Sequence, residues 1–341
     1  MRSKKILMIA ISVTLVIGLL AGCGGGGGSN VDGDAPIMII IGHTDTSQRS
    51  LHRAWYLLEE YLDEHAPGKF KVEVYPDGQL GNSPDLMAGV KLGTITLGFE
   101  LSPVLAQAAG PESSCIDLPF LYPTYEAWEK GIFENGGMEL YKASLNGSGY
   151  YCLDMFYSGI RQVISRDAIY RNAADLRGQK VRVQQNDLNI AMWTAMGANP
   201  TPMSWGEVIT SLSQGQIDAL DHSLGVFNDF NLHEIAPYLT ITNHVNSPCP
   251  IYVSEDWINS LPSDLRAVFE EGVRRAAAWQ RDEERGLEMS FVERFKNEGT
   301  TVYELNTAEI NAFIESVKPV YEMWAEKVGQ DLIDAWLATV P

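Results

Sequence analysis

Residues 37–41 read Ile-Met-Ile-Ile-Ile and stop at Gly42, a continuous apolar run that fits a strand covered on both faces in a parallel or mixed sheet. Leu51, Trp55, Leu58 and Leu62 then recur at spacings of four, three and four, with Glu59, Glu60, Asp63 and Glu64 on the opposite side. That is an amphipathic helix, and Pro67-Gly68 ends it. Phe70, Val72 and Val74 alternate with polar neighbours up to the turn Pro76-Asp77-Gly78, giving a second strand. Strand, helix, strand is the grammar of an α/β fold.

The pattern continues along the chain. A short helix is expected over 85–92, broken at Gly93, followed by the apolar alternation Ile95, Leu97, Phe99. A helical stretch runs through Trp128, and strands are expected at 150–157 and 180–184. Helices at 189–196 and 205–214 each end at a glycine, Gly197 and Gly215, where a left-handed cap is needed. A long helical stretch covers 263–297, and Asn306 with Glu309 forms a capping box for the last helix. With 341 residues the chain exceeds what one core usually organises, so two lobes are expected.

Ahead of this body, Arg2, Lys4 and Lys5 precede an apolar run at 6–20 that is too short for a comfortable membrane span and reads as an export signal. It ends in Leu20-Ala21-Gly22-Cys23, which resembles a bacterial lipobox with Cys23 as the lipidated residue. Five glycines at 24–28 and the low-complexity stretch at 29–35 read as a flexible tether. Loss of residues 1–22 removes three positive charges and moves the formal net charge from -19 to -22. Such a balance argues against nucleic-acid binding. It leaves room for a small anion, because arginines in a cleft outweigh a distant field screened over roughly 8 Å. Apart from Cys23, the cysteines are Cys115, Cys152 and Cys249: either one pair is bridged, or all three are small buried residues. None has metal-site spacing, and no cofactor or metal is expected.

Two arginines stand in strand-like apolar surroundings: Arg161, in Ser158-Gly159-Ile160-Arg161-Gln162, and Arg182, in Val181-Arg182-Val183. In the second, strand alternation sends the arginine away from both valines, so it is presented to one face alone. A guanidinium matches a carboxylate with two parallel N–H donors. On chemistry alone, an ordinary edge-strand arginine in a surface ion pair is the more common role.

The wider sequence decides between these roles. Residues 175–184 (Asp-Leu-Arg-Gly-Gln-Lys-Val-Arg-Val-Gln), 196–203 (Met-Gly-Ala-Asn-Pro-Thr-Pro-Met), Glu207-Val208 and the stretch 212–218 closely resemble the substrate-binding proteins of tripartite ATP-independent periplasmic (TRAP) transporters, of the dicarboxylate-binding (DctP) type. Gln79-Leu80-Gly81, Leu92-Gly93, Asp117-Leu118-Pro119-Phe120 and Gly159-Ile160-Arg161 belong to the same resemblance, which covers nearly the whole body. It implies an α/β, two-lobed periplasmic-binding-protein-like clamshell with crossing hinge strands and a long hinge helix. One lobe would comprise 36–158 plus 248–287, and the other 159–247 plus 288–341 with the C-terminal helices.

The resemblance also implies a site. Arg182 falls on the arginine that pairs with the ligand carboxylate, Arg161 on a second pocket arginine, and Trp205 on an aromatic position packed against the ligand. Where many members carry Gln-Glu-Asn-Pro, this chain has Leu220-Asp221-His222-Ser223, so His222 would replace a carboxylate-binding asparagine and bring pH dependence. Thr44, Glu100 and Ser102 are further ligand candidates, whereas Trp193 and Met192 read as core. Trp205 and the aromatics near Tyr157 and Phe227 tilt the ligand toward a monocarboxylate with an apolar or aromatic part, although mono- versus dicarboxylate stays open. The implied partners are a small organic acid, the TRAP membrane subunits and, through Cys23, the membrane; a monomer is expected.

No Gly-x-Ser-x-Gly, His-Glu-x-x-His or phosphate loop is present, so nothing supplies an activated catalytic group. Asp218 and Asp221 are too weakly arranged to suggest a glycosidase pair. A ligand-sensing or adhesion lipoprotein on the same clamshell is the alternative to transport.

Overall fold

The computed structural model describes residues 35–341. The export signal, Cys23 and most of the glycine tether lie outside the described residues. Ten strands occur among those described: β1 (Ile37–Gly42), β2 (Phe70–Tyr75), β3 (Leu97–Phe99), β4 (Tyr150–Ser165), β5 (Lys180–Val183), β6 (Asn199–Pro202), β7 (Ala219–Ser223), β8 (Tyr238–Ile241), β9 (Asn246–Ser254) and β10 (Thr301–Glu304). Their order is β2-β1-β3-β9-β4-β7-β5-β6, with β8 joined to β4 and β10 to β8.

β4 belongs to two lobes. Its first part pairs antiparallel with β9 as far as Ile160, and its last part pairs with β7 from Arg161 and with β8 from Val163. β8 and β9 follow one another along the same edge, so β4 and the β8–β9 run cross together from one sheet to the other. The register shifts between Tyr157 and Ile160. Gly159 allows this, with φ +94, and a Cβ there would meet Glu288 Oε1 at 2.6 Å and Ser223 Cβ at 2.7 Å. The sequence break expected after Tyr157 is therefore a bulge inside one long strand.

Each sheet packs one cluster of its own, and a further cluster, with Tyr252 and Tyr150 at one end and Val181, Val183 and Trp193 at the other, runs between them. Trp55, Leu58 and Leu62 of helix Ser50–His65 pack with Phe269 and Val273 of helix Ser263–Asn297 against Ile39, Ile41, Leu97, Phe99 and Ile251. At its other end the long helix sends Val292 and Phe295 into the core formed by Ile164, Leu220 and Leu239. With 35 residues it extends about 52 Å at 1.5 Å per residue, enough to serve both sheets.

Between those ends the helix turns polar where it passes the crossing strand. Gln280 accepts from Tyr157 N–H at 2.9 Å and donates to the Tyr157 carbonyl at 2.8 Å. Glu288 accepts from Ile160 N–H at 2.8 Å, and Arg281 donates to Asp154 and to the Met155 carbonyl. Backbone groups that the irregular strand takes out of the ladder are thus satisfied by side chains of the hinge helix. Helix Thr307–Val328 packs on helix Asp187–Ala195 and on the turn Pro111–Asp117, touching elements on both sides of the crossing.

Cys115, Cys152 and Cys249 are free and buried, which settles the cysteine alternatives in favour of three small core residues. The Gly159 bulge yields a stability prediction. Gly159→Ala should destabilise the fold by about 2–4 kcal/mol, from backbone strain and overpacking together. Gly286, in open space within the long helix, is the control, and Gly286→Ala should stabilise by about 0.5–1 kcal/mol. Urea unfolding of the two variants reads the difference; equal midpoints would contradict the role given to the bulge.

Candidate functional site

The crossing strand delivers Arg161 into the space between the lobes. Arg161 is 4% exposed, and its Nε donates to Asp221 Oδ2 at 2.5 Å while Nη2 donates to the Asp221 carbonyl at 2.7 Å. The same carboxylate oxygen lies 3.1 Å from His244 Nε2, and His244 Nδ1 lies 2.7 Å from the Thr242 hydroxyl. A carboxylate can only accept, so Nε2 carries the proton and Nδ1 accepts from Thr242. Burial would raise the Asp221 pKa, but the Arg161 guanidinium and the His244 hydrogen bond hold it far below the usual carboxylate range. Arg161 is therefore a paired, anchored cation.

Arg182 differs. Val181 and Val183 are fully buried in the core, so alternation turns Arg182 the other way, as its sequence predicts. It is 3% exposed, and its donors reach only the Met203 carbonyl, from Nη2 at 2.9 Å and Nε at 3.2 Å. Its guanidinium carbon lies 5.6 Å from the centre of the half-buried Trp205 ring, a cation–π contact. Burial, with Arg161 nearby, depresses its pKa to about 10. Four arginines are buried among the described residues: Arg49, Arg161, Arg182 and Arg281. Arg49, Arg161 and Arg281 each have a carboxylate within 4.0 Å, and Arg182 has none.

Trp205 continues the cluster, its ring centre 5.3 Å from that of His222. His222 Nδ1 accepts from Ser223 N–H at 2.9 Å, which leaves Nε2–H as its donor. Burial, reinforced by Arg161 and Arg182, drives its pKa well below 6.5. The pH dependence expected of His222 is thereby corrected: beside two guanidinium groups the imidazole stays neutral, a fixed donor rather than a switch.

A cavity of about 10 Å³ adjoins Arg161, lined from the first lobe by Leu101, Pro103 and Asp117, from the second by Gln184, Asn189 and Met192, and from the crossing strand by Asn246 and Ser247. It has room for about one water molecule. A larger groove of about 240 Å³ lies elsewhere, beside Lys142, Tyr151 and Glu255. It lacks the buried cations, and charge rather than size locates the site.

Ser102, fully buried, donates to Asp117 Oδ1 at 2.6 Å. Asp117 Oδ2 has no hydrogen-bond partner among the described residues; its burial, against the Ser102 hydrogen bond and Arg161, raises its pKa to about 8. Glu100 is buried at the end of β3 with Oε1 unpartnered, and burial raises it likewise to about 8. Of the residues singled out in the sequence, Arg182, Trp205 and His222 form one cluster, Arg161 adjoins it, and Ser102 reaches the cavity through Asp117. Thr44 is exposed on the loop after β1. From that loop it is Arg49 that reaches inward, to Glu284 at 3.1 Å and Asp229 at 3.3 Å. Trp193 is fully buried core, Met192 borders the cavity, Tyr157 is fully buried with its hydroxyl donating to Asn246 Oδ1 at 3.2 Å on the cavity wall, and Phe227 is fully buried in a separate core. Sequence reading did not single out Asn189 or Ser247 as site residues, saw Asp117 and Gln184 only as parts of motifs, and weighed Asp221 only as half of a glycosidase pair.

Comparison with known proteins bears on the fold and the family. The profile of the bacterial extracellular solute-binding proteins, family 7, matches residues 41–327. The 2,3-diketo-L-gulonate-binding periplasmic protein of Escherichia coli is 29% identical over 298 residues, covering 86% of this chain and 90% of that protein. The C4-dicarboxylate-binding periplasmic protein of Vibrio cholerae is 26% identical over 343 residues, covering 98% of each. The crystal structure of a sugar-acid-binding protein of Advenella mimigardefordensis with galactonate superposes with a TM-score of 0.83 at 25% identity, over 89% of this chain and 98% of that one. No helix among the described residues is long and apolar enough to cross a membrane. A match over this length, on a two-lobed α/β scaffold of the same shape, places the protein: the chain belongs to the bacterial extracellular solute-binding proteins of family 7, the DctP family.

Proposed function

We propose that this protein captures a small organic carboxylate between its lobes, with Arg182 as the principal anion contact, and hands it to the membrane subunits of a TRAP transporter. The observation that carries this reading is the uncompensated charge of Arg182. A cation buried with only a backbone carbonyl for company is costly, and a carboxylate able to meet its planar fork removes that cost. Trp205 holds the guanidinium from one side, and Nε2–H of His222 and the free donors of Arg161 supply further hydrogen bonds to ligand oxygens. The lobes comprise 36–158 plus 248–287 and 159–247 plus 288–341, except that helix Gln330–Ala338 of the second range packs on Pro111–Asp117 and Gly137–Ser144 and so goes with the first lobe. Closure is favoured by the difference between ligand contacts made in the closed and open forms. The lipobox-like sequence places Cys23 as the lipid anchor, with the glycine tether giving the body reach from the membrane. That related proteins are described with diketogulonate, C4-dicarboxylates and galactonate supports an organic acid as the ligand class.

Three outcomes follow. Arg182→Ala should weaken binding of the preferred acid by about 2–5 kcal/mol in calorimetric titration; affinity within threefold of wild type would remove Arg182 from the site. Between pH 5 and 7, wild type and His222→Asn should show parallel affinity profiles, since the imidazole is neutral throughout. A step near pH 6.5 confined to the wild type would show that His222 titrates after all. Cys23→Ser should move the protein from the membrane to the soluble fraction of expressing cells, and unchanged fractionation would refute the anchor.

A further inference from the structure

We infer that Arg49 is a clasp that holds the two lobes together without touching the ligand, through a charge pair that Asp229 completes only when the cleft is shut. The inference rests on the two-lobed reading above and not on the identity of the acid.

Arg49 stands in the loop between β1 and helix Ser50–His65, on the first lobe, and is 6% exposed. Its Nη2 donates to Glu284 Oε1 of the long helix at 3.1 Å and to the Ser158 hydroxyl of the crossing strand at 3.4 Å. Nε lies 3.6 Å from Asp45 of the same loop. Nη1 lies 3.3 Å from Asp229 Oδ2, at the end of helix Leu224–Asp229 of the second lobe. Nη1 has no partner in hydrogen-bonding geometry among the described residues, so its contact with Asp229 is a charge pair and not a directed hydrogen bond. One guanidinium thus gathers the first lobe, the long helix, the crossing strand and the second lobe.

Of its three carboxylates, Asp229 alone belongs to the second lobe. Asp45 shares the loop with Arg49. Glu284 accepts from the Ser50 hydroxyl at 2.7 Å, and helix Ser50–His65 packs along the long helix, so Glu284 stays beside Arg49 when the lobes part. Opening therefore never strands the cation. It releases Asp229, whose side chain is already 25% exposed, to water. A pair of that kind biases the equilibrium without locking it, because a partly exposed carboxylate is screened by salt.

The second lobe is shaped to reach this point. A Cβ on Gly225, near the start of helix Leu224–Asp229, would stand 2.9 Å from Glu284 Oε1 and 3.7 Å from Arg49 Nη2. Glycine is a poor helix former, and this close approach is what it permits. Asn186 also crosses between the lobes, donating to the Pro103 carbonyl at 3.1 Å and to the Ser114 hydroxyl at 3.3 Å, but carries no charge. Arg49 does not line the cavity beside Arg161. Loss of the clasp therefore lowers the closed population and weakens every acid by the same factor.

Pulsed electron resonance distances between spin labels at Glu60→Cys and Ser213→Cys, exposed positions one on each lobe, test this without any added acid. The full chain carries Cys23→Ser so that residue 23 takes no label, and Cys115, Cys152 and Cys249 are buried. Each variant is measured both with Arg182 and with Arg182→Ala, which removes the proposed ligand contact. A short-distance population is expected in both backgrounds. Asp229→Asn, which is isosteric, should lower the ratio of short to long distances by about fivefold. Gly225→Ala, a wedge that favours its own helix, should lower it at least as far. Raising NaCl from about 20 to about 500 mM should act like Asp229→Asn on the parent and add nothing in that variant. A ratio that Asp229→Asn leaves unchanged, or that depends on salt equally with and without Asp229, would overturn the clasp. A short-distance population that vanishes in Arg182→Ala would also overturn it, since closure would then come from a bound acid. Failure of every organic acid to bind in calorimetry would sink the carboxylate reading and leave the distance result standing.

Discussion

A guanidinium buried to 3% exposure with a backbone carbonyl as its acceptor is tolerated only because the surrounding structure forces it. Arg182 has no alternative orientation. Its strand neighbours Val181 and Val183 are fully buried in the core on the opposite face, and β5 is held between β7 and β6, so the side chain must leave on the other face, toward Met203 and Trp205. Net charge elsewhere does little to relieve it. The strongly acidic body repels anions at long range, but that field is screened within roughly 8 Å in physiological salt. Close to Arg182 the balance is set instead by Arg161 and Asp221, a pair that cancels itself.

That cancellation depends on the crossing strand. Arg161 is two residues beyond the Gly159 bulge, where β4 leaves β9 and takes up β7, and the register Arg161–Ser223 brings Asp221 alongside. Glu288 and Gln280 of the long helix hold the backbone on the near side of the arginine. Site and hinge are therefore one piece of construction.

Much of this was legible in the sequence. Helices with clean periodicity fell where expected, the long one over its full span, and Val181-Arg182-Val183 declared the orientation of the arginine by alternation alone. β9 was not legible. Its sequence, Asn246-Ser247-Pro248-Cys249-Pro250, carries two prolines that argue against a central strand, and pairing with the irregular β4 is what accommodates them. Nor was the partner of Arg161 visible, since Asp221 lies 60 residues away and His244 a further 23. Spacing rules see neighbours on one helix or strand, and these three meet only through the antiparallel return of β7 and the loop before β9. His222 misled for a related reason: a histidine in sequence has an ordinary pKa, and only burial beside two guanidinium groups removes its titration.

The same burial makes the acids of the cleft respond to pH in opposite senses. Asp117 and Glu100 are raised to about 8, and Glu288, at the hinge, to about 7. The unfolded chain releases these protons near pH 4, whereas the folded chain keeps them. Their contribution to stability is fully present below about pH 4 and is lost as pH rises through 7 and 8. Asp221, lowered by Arg161 and His244 despite its burial, runs the other way: its contribution is present above about pH 4 and is lost as pH falls. The two trends leave the cleft with its single positive charge at near-neutral pH.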